Sequence, residues 1–199
     1  VDEDFALTRY AEKLAASQPS LDPILKKLDL KPTLIAKLLR KRILEILKET
    51  SPQVVGISVP FPGNVLGAFV AAKTIRQFDP KIVIVLGGGY VNTELREMSD
   101  PRIFDFFNFV TLDDGEKSFD LILEFCRSAW FAMSDFNVEA ATKQAGKNLK
   151  LLRTFYKLDG KVKFESDSSQ FDIPFKDTGT PTYRGVPLDK HISLLEMLH

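Results

Sequence analysis

Gly87, Gly88 and Gly89 close the β-branched run of residues 81–86, and Pro60, Pro62 and Gly63 close a second such run at Val54–Ser58. Three glycines in succession let a bare backbone come within contact distance of a bulky polar ligand, and their N–H groups can be aimed at a phosphate. A third run, residues 107–112, stops at Asp113, Asp114, Gly115 and Glu116. The chemistry these residue types suit is binding rather than bond-making. The candidate binding residues are Ser58, Pro60, Gly63, Asn64, Gly87, Gly88, Gly89, Asp114, Gly115 and Glu116; none is assigned a catalytic role.

Other chemistries find little support. The sequence holds one cysteine, Cys126, so it allows no internal disulfide, no Cys-x-x-Cys pair and no thiolate cluster for zinc or iron–sulfur. Cys126 lies at helical spacing from Phe119, Ile122 and Leu123, which predicts a buried structural thiol. The two histidines, His191 and His199, fall in the final segment without metal-ligand spacing, and no G-x-S-x-G elbow is present. Neither a self-contained metalloenzyme nor a Ser-His-Asp hydrolase is expected, and no metal ligand is assigned.

The elements that must position the three turns are legible from periodicity. A strand at Val54–Ser58 leads into a helix at Val65–Phe78 with Asn64 as its cap, then a strand at residues 82–86, the glycine turn, and a short helix starting at Asn92 or Thr93. The strand at residues 107–112 and a helix from 117 to about 128 follow. Strands alternating with helices predict parallel pairing, which brings all three turns to one sheet edge. Residues 1–50 read as helical, with Leu7, Tyr10, Ala11, Leu14 and Ala15 on one apolar face and Ile35, Leu38, Leu39, Ile43, Ile46 and Leu47 on another; Ser20 is a candidate cap. Asp159-Gly160 between residues 151–157 and 161–165 predicts a β-hairpin. Beyond residue 166, Ser, Asp, Thr and Pro dominate, which predicts an extended connector.

Composition bounds the partners. With 199 residues, 44% of them hydrophobic, the chain can bury one core with an appendage. Lys plus Arg and Asp plus Glu both number 27, so no net field draws it to nucleic acid or membrane. The basic residues of 26–48 are expected to form a solvated helix face; nucleic acid is not an expected partner, and no membrane span or secretory signal is read. A cytoplasmic location is the expectation. The start at Val1 and the amphipathic stretch ending at His199 suggest a piece of a longer protein.

Gly-Ile-Ser-Val at 56–59 with its turn and helix, Ile-Val-Leu-Gly-Gly-Gly at 84–89, and a strand ending in Asp-Asp-Gly-Glu at 113–116 together resemble the cobalamin-binding-type amino-terminal region of radical S-adenosylmethionine proteins. Residues 179–193 are similar to the segment that enters the catalytic barrel in an iron–sulfur oxidoreductase branch of that family. The resemblance implies that Ser58 matches the serine contacting the nucleotide tail of cobalamin and that Gly87 and Gly88 match the paired glycines that make room for it. Residues 113–116 take the place of the usual Gly-Glu-Gly-Glu turn, agreeing only in Gly115 and Glu116. Two departures stand out: no D-x-H-x-x-G motif supplies a lower cobalt ligand, and the two parallel strands that usually precede the Ser-bearing one are replaced here by helical sequence. Either those strands lie upstream, or half the pocket has been lost.

The expected fold is α/β, with a Rossmann-like (flavodoxin-like or cobalamin-binding-like) parallel sheet, flanking helices, a helical amino-terminal part, a carboxy-terminal β-hairpin and an extended tail. The expected organisation is a helical part at 1–50, a cobalamin-binding-like core at 51–135, a helix-and-hairpin appendage at 136–166 and a linker at 167–199. What the resemblance implies for function is an accessory domain of a radical S-adenosylmethionine oxidoreductase, with cobalamin at the strand ends and no turnover alone. The 4Fe–4S cluster and S-adenosylmethionine would belong to a downstream domain, which would be this region's partner. The alternatives are a nucleotide-binding or response-regulator-like module and a pure protein-interaction module.

Overall fold

The computed structural model describes residues 20–132 and 137–180 together with Thr182 and Arg184. The helical face expected at Leu7, Tyr10, Ala11, Leu14 and Ala15, and most of the segment resembling a barrel entrance, lie outside the described residues. Six helices and five strands are described: α1 (Asp22–Asp29), α2 (Leu34–Thr50), β1 (Val54–Ser58), α3 (Val65–Phe78), β2 (Val83–Gly87), α4 (Gly89–Glu94), β3 (Phe109–Thr111), α5 (Gly115–Ala132), α6 (Val138–Ala145), β4 (Thr154–Leu158) and β5 (Lys161–Glu165). The α/β expectation holds, and the sheet is mixed.

The sheet runs β1-β2-β3-β4-β5. The first three strands are parallel, with Ser58 opposite Gly87 and Leu86 opposite Val110. The hairpin adds to them antiparallel, Val110 facing Phe155, so β4 and β5 extend the sheet beyond β3. Period-two alternation divides the strand side chains between two faces. Ile82, Ile84, Leu86, Val110, Leu112 and Phe155 pack with Ile24, Leu47, Leu66, Phe69 and Ile75 from α1, α2 and α3. Val83, Val85, Phe109 and Tyr156 pack with Ile122, Cys126, Leu149 and Leu151 on the opposite face. β2 is buried on both faces because it is central and covered twice, which is why it reads as a continuous apolar run.

Local signals explain most element ends. Thr33 Oγ1 accepts from the Ala36 N–H at 3.3 Å to open α2, and Asn137 Oδ1 accepts from the Ala140 N–H at 3.0 Å to open α6. The Ser20 hydroxyl accepts the Asp22 N–H at 3.1 Å, one residue outside the cap position held by Leu21. Asn64 occupies the cap position of α3 but makes no side-chain capping bond; the chain enters α3 through the 3-10 turn Pro62–Asn64 instead. On α2, Leu39, Ile43 and Leu47 pack into the core and Ile35 is half-buried, whereas Leu38 and Ile46, expected on the same face, are exposed.

Beneath the sheet, at the starting ends of β2 and β3, Arg76 is a structural keystone that sequence reading did not single out. Its Nε donates to the Phe106 carbonyl at 3.2 Å and its Nη1 to the Ile82 carbonyl at 2.7 Å; its Nη2 donates to Asn108 Oδ1, which also accepts the Ile84 N–H at 2.8 Å. Burial lowers the pKa of this guanidinium, and four protein oxygens, the Pro80 carbonyl at 3.2 Å among them, take the place of the lost water.

Candidate functional site

The parallel pairing brings the three turns to one edge, as the alternation of strands and helices predicts. Ser58 ends β1 in register with Gly87, which ends β2, and residues 113–116 follow the end of β3. Ser58, Pro60, Asn64, Gly89, Asp114, Gly115 and Glu116 are exposed there, and Gly63, Gly87 and Gly88 are half-buried. The short helix expected to start at Asn92 or Thr93 begins at the glycine turn itself: α4 is Gly89–Glu94, and Gly88 precedes it at φ 105° and ψ 178°. That region of backbone space is essentially reserved for glycine.

The surroundings of the glycines show what they are shaped around. A Cβ at Gly88 would lie 2.7 Å from the Val59 nitrogen, 2.8 Å from the Val59 oxygen and 2.9 Å from Ser58 Oγ. At Gly89 it would lie 2.8 Å from the Pro60 carbonyl oxygen, and at Gly87 2.9 Å from Thr111 Oγ1. Two backbone hydrogen bonds lock this contact: the Val59 N–H donates to the Gly87 carbonyl at 2.8 Å, and the Tyr90 N–H donates to the Val59 carbonyl at 2.9 Å. The glycine turn therefore closes on the backbone of residues 59–60. The volume that a side chain at position 88 would take is filled by the chain's own atoms, so the turn does not fit a bulky tail inserted beneath it. Ser58 and Asn64 are exposed, and at the start of α5 nothing lies within 4 Å of a Cβ at Gly115.

The acidic turn carries a charge cluster. Asp113 has a left-handed backbone, φ 60°, and its N–H donates to Asn92 Oδ1 at 2.7 Å, which ties α4 to the end of β3. Its carboxylate is bridged by Arg96 and approached by Arg153 Nε at 3.4 Å. Arg153 is also left-handed, φ 43°, and its carbonyl accepts the Leu112 N–H at 2.9 Å, which places it at the same edge. The guanidinium grips Asp172 with both terminal nitrogens, Nη1 reaching Oδ2 at 3.0 Å. This hydrogen bonding holds the Asp172 carboxyl below the usual aspartate range and raises Arg153. Arg96, Arg153 and Asp172 escaped sequence reading because they stand far apart in the chain, in loops where lone charges normally do no more than meet water. The unusual φ at Arg153 has no glycine to announce it.

Cys126 is fully buried, and burial pushes its thiol up to about 12, which suits the structural role its spacing predicts and removes it as a nucleophile near neutral pH. Among the described residues no group of three or more His, Cys, Asp and Glu side chains is placed to hold a metal ion, and no helix is long and apolar enough to cross a membrane. Compared with known proteins, the chain matches no protein-family model, no curated protein and no solved structure.

Proposed function

We propose that this chain is the cobalamin-binding-like accessory unit of a radical S-adenosylmethionine iron–sulfur oxidoreductase. Its parallel half is a Rossmann-like remnant that receives a nucleotide-tailed cofactor along its strand-end edge. The observation that carries this reading is the register: Ser58 and Gly87 stand opposite one another at the ends of adjacent parallel strands, and Gly115 and Glu116 follow the next strand, in the order the resemblance requires. In α/β sheets, ligands gather outside the carboxyl ends of the strands. The Ser58 hydroxyl, the Asn64 amide and the first turn of α5 would hold the cofactor's polar tail on the lip, because the closed glycine turn leaves no space below. Bound there, cobalamin would supply methyl-transfer chemistry to a catalytic domain that carries the 4Fe–4S cluster and S-adenosylmethionine. The chain's own residues bind and orient; its one cysteine, buried, cannot ligate a cluster.

Hydroxocobalamin titration followed in the visible spectrum tests this directly. We expect saturable binding that is lost in Gly115→Trp, a substitution made into open space on the lip and away from the packed glycines. A flat titration of the folded wild-type chain would overturn the cofactor reading. A second reading, a protein-interaction unit on the same scaffold, is favoured by Phe61, Phe171 and Phe175, which are 69%, 78% and 92% exposed. It predicts that replacing these three with Ser abolishes association with the downstream catalytic domain supplied in trans, with hydroxocobalamin absent from the assay.

A further inference from the structure

The Arg153–Asp172 contact joins an edge built by the sheet to a segment that the sheet does not hold. Residues 166–180 contain no strand and only the short 3-10 turn Phe175–Asp177. The two aromatic side chains flanking Asp172, Phe171 and Phe175, stay in solvent. The segment is tied at its start by the Asp167 N–H, which donates to the Leu151 carbonyl at 2.8 Å, and at Asp172 by the two-pronged bond from Arg153 to its carboxylate. A guanidinium fork of this kind meets a carboxylate and a phosphate through the same pair of oxygens. Arg153 Nε is buried, makes no hydrogen bond, and lies 3.4 Å from the Asp113 carboxylate, which holds that side of the guanidinium while Nη1 and Nη2 face Asp172. Arg96 adds a second positive charge on the other side of Asp113. Two left-handed non-glycine residues, Asp113 and Arg153, hold this arrangement, and strain of that kind gathers at ligand clamps.

We propose that the Arg153 guanidinium is a seat for a phosphate group and that Asp172 is its built-in stand-in, a strap that closes the seat until a phosphate displaces it. The ligand class is a phosphomonoester or pyrophosphate group presented at the strand-end edge. The Asp172 carboxylate is 41% exposed, so solvent reaches its side of the two-pronged bond and a more highly charged oxyanion can compete for the fork. The seat stands apart from the cobalamin reading, since it is tested with inorganic pyrophosphate and either idea can fail alone.

The test is calorimetric titration of inorganic pyrophosphate into the full chain at fixed ionic strength, with thermal melts verifying that each variant is folded. Removing the strap by Asp172→Ala should tighten pyrophosphate binding about tenfold or more, because the fork no longer has to be vacated. Adding Arg153→Gln to that variant should return affinity to the wild-type level or below; if it fails to fold, Arg153→Lys, which keeps the charge but loses the fork, reads the same loss. An Asp172→Ala protein that binds no tighter, or a gain that survives replacement of Arg153, overturns the proposal. Trypsin cleavage after Lys176 gives a second readout. Pyrophosphate should speed it in the wild type and leave it unchanged in Asp172→Ala, whereas an unchanged wild-type rate under saturating pyrophosphate would show that nothing is displaced.

Discussion

Gly88 and Gly115 lie on the same edge of the sheet and are held there by different constraints. Gly88 combines a backbone conformation that other residues rarely adopt with a space already filled by the Val59 backbone, whereas Gly115 faces open solvent within the first turn of α5. Gly88→Ala should therefore cost about 2–4 kcal/mol, the sum of backbone strain and a clash against atoms that cannot rotate away. Gly115→Ala should fall within about 0.5 kcal/mol of wild type. Urea unfolding of the two variants checks the contrast, and equal stabilities would refute the account of the glycine turn as closed packing. The presence of glycine at 87–89 is legible in the sequence, and so is its place at a strand end. What fills the space it leaves is not, because Val59 and Pro60 come from a different turn and meet it only after β1 and β2 have paired.

The hairpin shows the reverse balance, since its turn is announced by two adjacent residues. Asp159 and Gly160 take φ values of 50° and 71°, the pair of left-handed positions that a two-residue turn between twisted strands needs. Nothing lies within 4 Å of a Cβ at Gly160, so Gly160→Val should destabilise through the backbone alone, by about 1–2 kcal/mol. A loss well beyond that range in thermal unfolding would mean that the turn also carries packing that is not visible around it. The register of the helices and central strands was equally readable: α3 spans the predicted Val65–Phe78, and β2 differs from expectation by one residue. Element ends were misread where a side chain suggested one device and the chain used another. Asn64 looked like a cap, but a 3-10 turn performs the entry; β3 shrinks to Phe109–Thr111 because Leu112 hands its N–H to Arg153 and Asp113 leaves the extended region. The charge cluster at this edge was hidden for a related reason: Asp113, Arg153 and Asp172 are brought together only when β4 pairs with β3 and the segment after β5 folds back.

At the scale of the whole molecule, two cores share one sheet. Leu47 and Ile24 from the first helices lie in the same cluster as Ile84, Leu86 and Phe155, while the neighbour of Phe155 on β4, Tyr156, belongs to the opposite cluster with Cys126 and Ile122. A strand that alternates between cores couples them, because losing β4 strips packing from both faces. Unfolding should accordingly be one cooperative transition. The sequence has a single tryptophan, Trp130, which packs against the second core, so its fluorescence reports the face opposite α1 and α2, while far-UV circular dichroism reports all the helices together. We expect the two signals to coincide in urea. The sharper form of the prediction uses Leu47, which is 3% exposed on α2: Leu47→Ala should lower stability by about 2–5 kcal/mol and move both midpoints together, although the substitution and the tryptophan stand on opposite sides of the sheet. If only the circular dichroism moves and Trp130 keeps its wild-type midpoint, the first two helices are a separable layer. The strand-end edge would then have to be positioned by β1, β2 and β3 without them.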